Sequence, residues 1–504
     1  MLDPDDAELL RVASLLSAAN PFSPERKKLE KAALGRDYAP DADVWSLRGA
    51  PRARDENLRR IEAKLEQRLA GVHRALKRAK APTAEVLSLY EDAVLFLLYH
   101  RFDEEMLALA VADEKDEGAG LPAPFFERFE AELSHWLTPL FVHRPASFGA
   151  AQLFAFFFQL RRAFVHVFEH LVGASAPAAR LRASVWESLF TKTPRRYLQV
   201  LTGRMRDFST LILGPTGSGK ELVARAIGRS QFRPFDPGTR RFFPSPFRAL
   251  SLSALSPTLI ESELFGHARG SFTGADRERS GWLETVGPHG VVFLDEIGEL
   301  DGALQVKLLR VLQTRGFQRI GETETRRFEG KIVAATHRDL SGPWFRPDLY
   351  YRLCSDLLMT PSLAEQLRDA PAELEPMLRF VIAGILGDSH PEAVETCAHE
   401  VARFAIKVLG RDYPWPGNFR ELEQCARNVL LRGTYTPSAG LPSGARGEPW
   451  AEGARPLDEM MSRYVSYVFA ETGSYLETAR RLGVDRRTVK ARIDKKLVAA
   501  WRHS

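Results

Sequence analysis

Cysteine is nearly missing from this chain. Cys354, Cys397 and Cys425 are the only three in 504 residues, and they stand far apart. That spacing matches no metal-ligand pattern and fits a reducing cytoplasm. Long apolar runs are missing too. The nearest is LFAFFFQL at 153–160, flanked by Arg161 and Arg162 and too short to cross a bilayer. It reads as a buried helix or a partner-binding face, and no membrane association is expected. The first residues, MLDPDDAELL, are acidic and lack the basic-then-apolar pattern of a signal peptide. Charge of one sign is scarce as well. The formal net charge of +5 is a small basic excess, and it points to nucleic acid only where basic residues cluster. What is present is 44% hydrophobic and 27% charged residues, the balance of a globular chain too long for one core.

Residues 1–180 read as a mostly helical domain with a sensory or regulatory role. Leu58, Ile61, Leu65, Leu69, Val72 and Leu76 recur at three- and four-residue spacing, an apolar stripe on a charged helix. Packing within its own domain is the simpler reading, a short coiled coil the other. His166 and His170 are four apart, but no further acidic residue or histidine completes a metal site. GASAPAAR at 173–180 reads as a linker. From 181 the pattern changes. The apolar runs STLILGP, HGVVFLDEI and GKIVAAT alternate with helical patterns, the rhythm of an α/β domain. Residues 433–456, rich in Gly and Pro, read as a flexible linker before a small helical unit at 457–504.

The α/β segment carries nucleotide chemistry. Gly214-Pro215-Thr216-Gly217-Ser218-Gly219-Lys220 lies between an expected strand and an expected helix. Glycines let such a loop curl its N–H groups toward phosphate oxygens, and the helix N-terminus adds positive potential. Lys220 reaches the β- and γ-phosphates in this reading. Glu221 stands where a Ser or Thr usually offers magnesium a hydroxyl. Val291-Val292-Phe293-Leu294-Asp295-Glu296 delivers two carboxylates at a strand's C-terminal end, where ligands of parallel sheets bind. Asp295 is expected to hold Mg²⁺ and Glu296 to orient and deprotonate the attacking water. Arg346 and Arg352 are candidates for the positive charge that γ-phosphoryl transfer needs. Solvated surface arginines are the other reading, and supply from a neighbouring subunit would make activity depend on oligomerisation.

Glu261 to Ala275, ESELFGHARGSFTGA, resembles the signature of the bacterial enhancer-binding proteins, AAA+ activators of the sigma-54 form of RNA polymerase. GPTGSGKE at 214–221, VVFLDEIGEL at 291–300, FRPDLYYRL at 345–353 and YPWPGNFREL at 413–422 extend the resemblance over 181–430. It implies an α/β AAA+ P-loop ATPase core at 181–362 with a small helical lid at 363–432. It implies binding of ATP and Mg²⁺ through Gly214, Gly217, Ser218, Gly219, Lys220, Glu221 and Asp295. Thr336 and His337 would sense the γ-phosphate, and Arg420 would touch nucleotide from the lid. Arg346 and Arg352 would act as fingers across a ring interface. Phe272 and Thr273 would contact sigma-54 on a mobile loop. An exposed aromatic between glycines agrees with that use. The chain departs from the family at Ser251, where an asparagine usually restrains the catalytic glutamate. It departs again at His337, usually asparagine, and at PSLAEQ, 361–366.

YLETARRLGVDRRTVKARIDKKL at 475–497 has a helix-turn-helix pattern and resembles the Fis-type domain that ends many such activators. Ala479 and Leu482 form an apolar face, Gly483 the turn, Val484 its anchor and Asp485 a cap. The second helix runs on through 497 with Val489 and Ile493 inward. Arg486, Arg487, Thr488, Lys490 and Arg492 would meet bases and phosphates. Met461, Val465, Val468 and Phe469 on the preceding helix could form a dimer contact. The expectation is therefore a cytoplasmic, sigma-54-dependent activator. It binds double-stranded DNA upstream of promoters and remodels sigma-54 holoenzyme with ATP, as a dimer at rest and a hexameric ring when active. The rivals are another AAA+ remodelling machine and a DNA-binding repressor or scaffold that uses nucleotide as a sensed ligand.

Overall fold

The computed structural model describes residues 3–39, 56–115, 120–143, 147–273, 275–387, 390–437, 457–494 and 498. Gly274 and most of the 433–456 linker lie outside them. The chain divides into two compact units, 1–431 and 432–504.

The first unit begins with eight long helices: α1 Pro4–Ala18, α2 Glu25–Leu34, α3 Glu56–Arg78, α4 Ala84–Arg101, α5 Asp103–Lys115, α6 Phe126–Phe141, α7 Ala150–His170 and α8 Ala176–Phe190. The stripe of α3 is satisfied inside the unit. Ile61, Leu65, Leu69, Val72 and Leu76 are buried, and the helix packs on α2, α4 and α6. The apolar run of α7 is a buried helix, with Phe154 and Phe158 fully enclosed. The segment 173–180 is not a linker. Ser175 caps α8 by accepting from the Ala178 N–H, and Pro177 lies in its first turn, where a missing N–H costs nothing. Arg182 fixes this start by donating to the carbonyls of Leu171 and Gly173 at 2.8 and 2.7 Å.

A five-stranded parallel sheet follows: β1 Thr210–Leu213, β2 Phe247–Ser251, β3 Val291–Asp295, β4 Lys331–Thr336 and β5 Asp356–Met359, in the spatial order β5-β1-β4-β3-β2. β1, β3 and β4 are apolar almost throughout because both faces of the sheet are covered. Alternate residues divide between two cores. Val292, Leu294, Ile332 and Ala334 join one, lined by the helix Gly302–Thr314. Val291, Phe293, Val333 and Ala335 join the other, which runs without a break into α1–α8. The helical region therefore shares its core with the ATPase-like sheet.

A short hairpin, Phe235–Asp236 with Arg241–Phe242, strengthens this junction. Phe235 packs on Phe126 and Phe154 with ring centroids 4.6 and 4.8 Å apart, and Phe242 packs on Phe158 at 4.2 Å. The Phe242 N–H donates to Leu121 O, and the Ala123 N–H to Arg240 O. Behind them Asp113 of α5 forms ion pairs with Arg162 of α7, at 2.9 Å, and with Arg233, all three nearly out of solvent. Four further helices, Leu363–Asp369, Leu374–Leu386, Pro391–Val408 and Asn418–Arg432, form the lid.

Among the described residues, the second unit holds the helices Leu457–Thr472, Tyr475–Leu482 and Arg486–Arg492. Gly483 turns between the last two with φ +65°, and Asp485 caps the third by accepting from the N–H groups of Arg487 and Thr488. The third helix is shorter than expected. Ile493 is extended, and 495–497 lie outside the described residues. Val484 holds the turn by its N–H to Ala479 O, while its side chain is exposed.

Asp113→Ala leaves two buried guanidinium groups without their shared carboxylate. It should destabilise the first unit by about 3–5 kcal/mol. Glu127→Ala removes only the exposed pair with Arg240 and should cost about 0–1 kcal/mol. Thermal midpoints of the full chain check this, and equal midpoints for the two variants would contradict the triad's burial.

Candidate functional site

Strand register builds the site. Leu213 at the end of β1 pairs with Thr336 of β4, Ala335 with Asp295 of β3, and Ser251 of β2 with Asp295. The loop after β1, both carboxylates and the residues after β4 thus share one edge of the sheet. The loop then enters the helix Lys220–Arg229. Its glycines are required where they stand. Gly214 has φ +156°, and a Cβ there would lie 1.9 Å from Thr360 Oγ1. At Gly217, φ +75°, a Cβ would lie 2.4 Å from Gly417 O of the lid.

Lys220 is buried beneath this loop. Its Nζ donates to Gly214 O and Pro215 O at 3.0 and 3.1 Å and lies 4.0 Å from Glu296 Oε1. Burial pushes its pKa down, against the pull of Glu296 and Asp295. Asp295 accepts the Glu296 N–H at 3.1 Å, and burial together with the Glu296 charge raises its pKa. A carboxylate so placed, short of positive charge and offering a hard oxygen, fits a magnesium ion. Burial also acts to raise the Glu296 pKa, but the His337 hydrogen bond and the Lys220 charge outweigh it, so it falls. Glu296 itself is left-handed, φ +56° and ψ +52°, a conformation costing a non-glycine residue about 1–2 kcal/mol.

The remaining sequence candidates divide into those the fold gathers and those it does not. Ser218 Oγ bonds Pro215 O and Thr360 Oγ1 at 2.7 and 2.6 Å. Thr336 and His337 both reach Glu296 Oε2, at 3.3 and 2.8 Å. Arg420 packs its side chain beside Gly217. Glu221 points outward, paired with Arg225 at 3.0 Å. Arg346 is gripped at both ends by Asp348, at 3.0 and 2.7 Å, and Arg352 is exposed. Among the described residues, neither bonds to the loop or to the two carboxylates.

Phe272 is less free than an exposed loop aromatic. It is half-buried and sits edge-on to His267 at 5.0 Å. His267 is fixed by Ser262 Oγ and Arg277 O, at 2.7 and 3.0 Å. Thr273 beside it is exposed. The loop's base is tied to a neighbouring hairpin by the Ala268 N–H to Ile320 O and the Ile320 N–H to Gly266 O. In the second unit Arg486, Arg487 and Lys490 are exposed along the third helix, Arg492 is half-buried, and the Thr488 hydroxyl donates to Asp485. Val465, Val468 and Phe469 are buried within that unit, which leaves Met461 of the four proposed dimer residues open.

Sequence reasoning missed Asn418 and Thr360. Asn418, φ +53°, donates to Thr216 O of the Gly214–Lys220 loop at 2.9 Å and accepts the Leu363 N–H of the lid at 2.7 Å. The Phe419 N–H donates to Gly217 O at 3.0 Å. Asparagine after Pro-Gly was the available signal, since its short side chain tolerates the left-handed region. Thr360 follows β5 and carried no signal.

Residues 192–358 match the family model of the sigma-54 interaction domain. Transcriptional regulatory protein ZraR of Klebsiella oxytoca is 38% identical over 303 residues, which cover 57% of this chain and 64% of that protein. ZraR of Escherichia coli (strain K12) is 34% identical over 350 residues, 67% of this chain and 74% of that protein. The sigma54-dependent transcriptional regulator SfnR of Pseudomonas fluorescens (strain Pf0-1) is 38% identical over 266 residues, 51% and 65% respectively. The chain thus spans about 64% of the length of the Klebsiella relative.

Asn418→Ala removes two buried hydrogen bonds and strains the backbone, a loss of about 2–4 kcal/mol in the tie between loop and lid. Asn418→Gly should recover only the strain component. Hydrogen exchange at Thr216–Gly219 and thermal melting distinguish the two, and identical behaviour of both variants would dismiss the backbone argument.

Proposed function

The chain belongs to the sigma-54-dependent transcriptional regulators that carry the sigma-54 interaction domain, and from this premise we propose that it hydrolyses ATP to remodel sigma-54 RNA polymerase holoenzyme. The observation that carries the proposal is the joining, at one sheet edge, of a desolvated loop lysine, two strand-end carboxylates and a lid bonded to the loop.

In this reading the loop N–H groups and Lys220 cradle the β- and γ-phosphates, and Ser218 steadies the loop. Arg420 lies against it from the lid side. Asp295 would hold Mg²⁺ with the phosphates, where the ion supplies charge neutralisation. Glu221 offers no hydroxyl, so Asp295 is the side chain that would hold the ion. Glu296 orients a water and takes its proton as the water oxygen bonds to the γ-phosphorus. The bond to the β–γ bridging oxygen breaks, and ADP and phosphate leave. Thr336 and His337, bonded to Glu296, are placed to register the γ-phosphate. Arg346 and Arg352 face solvent in one chain, which suits donation to the site of a neighbouring protomer in a ring.

Phe272 and Thr273 are the contact to sigma-54. The Phe272 seat on His267 gives the loop a stowed position from which nucleotide-driven movement can release it. Arg486, Arg487, Thr488, Lys490 and Arg492 make the DNA contact, with the N-terminal ends of such helices entering the major groove. Thr488 contributes less than its neighbours because its hydroxyl serves the cap. Binding to upstream sites raises local concentration and favours ring assembly. The site of action is the cytoplasm, and α1–α8 regulate the engine to which they are fused.

Open-complex formation with sigma-54 holoenzyme tests the reading. Phe272→Ala should retain ATP turnover within about threefold and lose promoter opening, whereas Glu296→Gln should lose turnover by about 10²-fold or more. Normal opening by both variants would end the proposal.

A further inference from the structure

Among the described residues, the helix Gly302–Thr314 buries one polar side chain, and the proposed reaction does not use it. Gln305 is 1% exposed. Its Nε2 donates to Leu300 O at 2.9 Å and to Trp344 O at 3.1 Å, and its Oε1 accepts the Arg346 N–H at 2.9 Å. A buried primary amide is costly unless it is paired. Here every partner is a backbone atom, so the amide is committed to three fixed points of the chain.

Those points belong to two segments. Leu300 ends the turn Ile297–Glu299, which follows Glu296 directly. Trp344 O and the Arg346 N–H belong to the two peptide units that flank Phe345, whose ring is buried in the core with Leu349 and Leu353. One amide therefore grips the chain on both sides of Phe345. Arg346 leaves this grip as the first residue before the helix Pro347–Leu353, with its guanidinium steered by Asp348 and exposed. Gln305 fixes where the finger candidate starts, and Asp348 fixes where it points. A second tie runs alongside. Arg338 pairs with Glu299 of the same turn at 2.6 Å, and its guanidinium lies 5.8 Å over the Trp344 ring.

We propose that Gln305 is a positioning residue for Arg346. It sets the backbone from which the guanidinium reaches a neighbouring protomer, and it joins that finger to the turn that follows the protomer's own Glu296. This rests on the reading of Arg346 as a finger given across a ring interface. A shift of the turn after Glu296 passes through Leu300 and Gln305 to Trp344 and Arg346, so the state of one site is presented to the next.

The experiment uses the full chain and measures ATP hydrolysis over a range of MgATP concentrations. Gln305→Met keeps the length and removes the amide. It should lower kcat by about 10–100-fold, the cost of misplacing a group by about 1 Å, and leave KM within about threefold. Gln305→Asn keeps the amide but withdraws it by one carbon, and should show a smaller loss of the same kind. It replaces Gln305→Met if that variant melts below the assay temperature. Mixing then locates the defect. A Gln305→Met protomer has a sound site and a displaced finger, and a Glu296→Gln protomer has the reverse. Mixed one to one, they should recover about a quarter of wild-type turnover, the share of interfaces in a heterologous ring that pair a sound site with a sound finger. A merely structural role would lower the thermal midpoint and give no recovery in the mixture. Arg346→Ala mixed with Glu296→Gln is the control. If the control recovers and the Gln305 mixtures do not, or if both Gln305 variants turn over like wild type, the proposal is overturned. If the control mixture stays silent, the reading of Arg346 as a finger in trans fails, and this proposal with it.

Discussion

Parallel pairing fixes where chemistry can occur in this molecule. Side chains alternate along a strand, so a one-residue slip between β3 and β4 would turn Asp295 to the opposite face and carry Thr336 away from Glu296. The register is held because both faces of these strands are buried, in two cores of different composition. Packing energy spread over the whole sheet thereby protects the position of a few polar atoms at its edge. The same edge receives the lid, whose Asn418 is bonded to the loop rather than to the sheet.

The polar atoms at this edge are held under tension rather than at rest. Lys220 is buried and held by carbonyls, Asp295 is short of positive charge, and Glu296 sits in a strained backbone conformation with one oxygen crowded by donors. Each feature disfavours the isolated arrangement, and in the proposed reading a partner bearing phosphate and a divalent cation would relieve it. Strain of this kind persists only where surrounding structure over-determines it, and here the buried strands supply that determination.

Much of the architecture was legible in sequence because it is written in local patterns. The helical stripe of α3, the alternation of strands and helices, the glycine loop and the DE pair are all periodic or contiguous. The misreadings have a common cause. Gly-Ala-Ser-Ala-Pro at 173–177 has linker composition, yet Ser175 and Pro177 are also good helix-starting residues, and contacts with the lid decide between the two. Phe272 looked free because its partner, His267, lies back along a folded loop. Thr360 and Asn418 matter through distant residues that no spacing rule connects. The meeting of His337 with Glu296 likewise depends on the pairing of two strands.

The start of α8 has a mechanical meaning. The Ala174 and Ala176 N–H groups donate to Glu373 and Asp369 of the lid at 3.0 and 2.7 Å, while the other end of the helix packs on β5. α8 therefore bridges the joint between sheet and lid like a strut across a hinge. Bonds of this charge-assisted kind are worth about 1.5–3 kcal/mol each, comparable to the coupling energies by which one site commonly informs another. The seating of α8 in the N-terminal bundle adds to the Asn418 and Phe419 bonds in holding that joint. By reciprocity, every angular displacement of the lid is also a load carried back into that bundle.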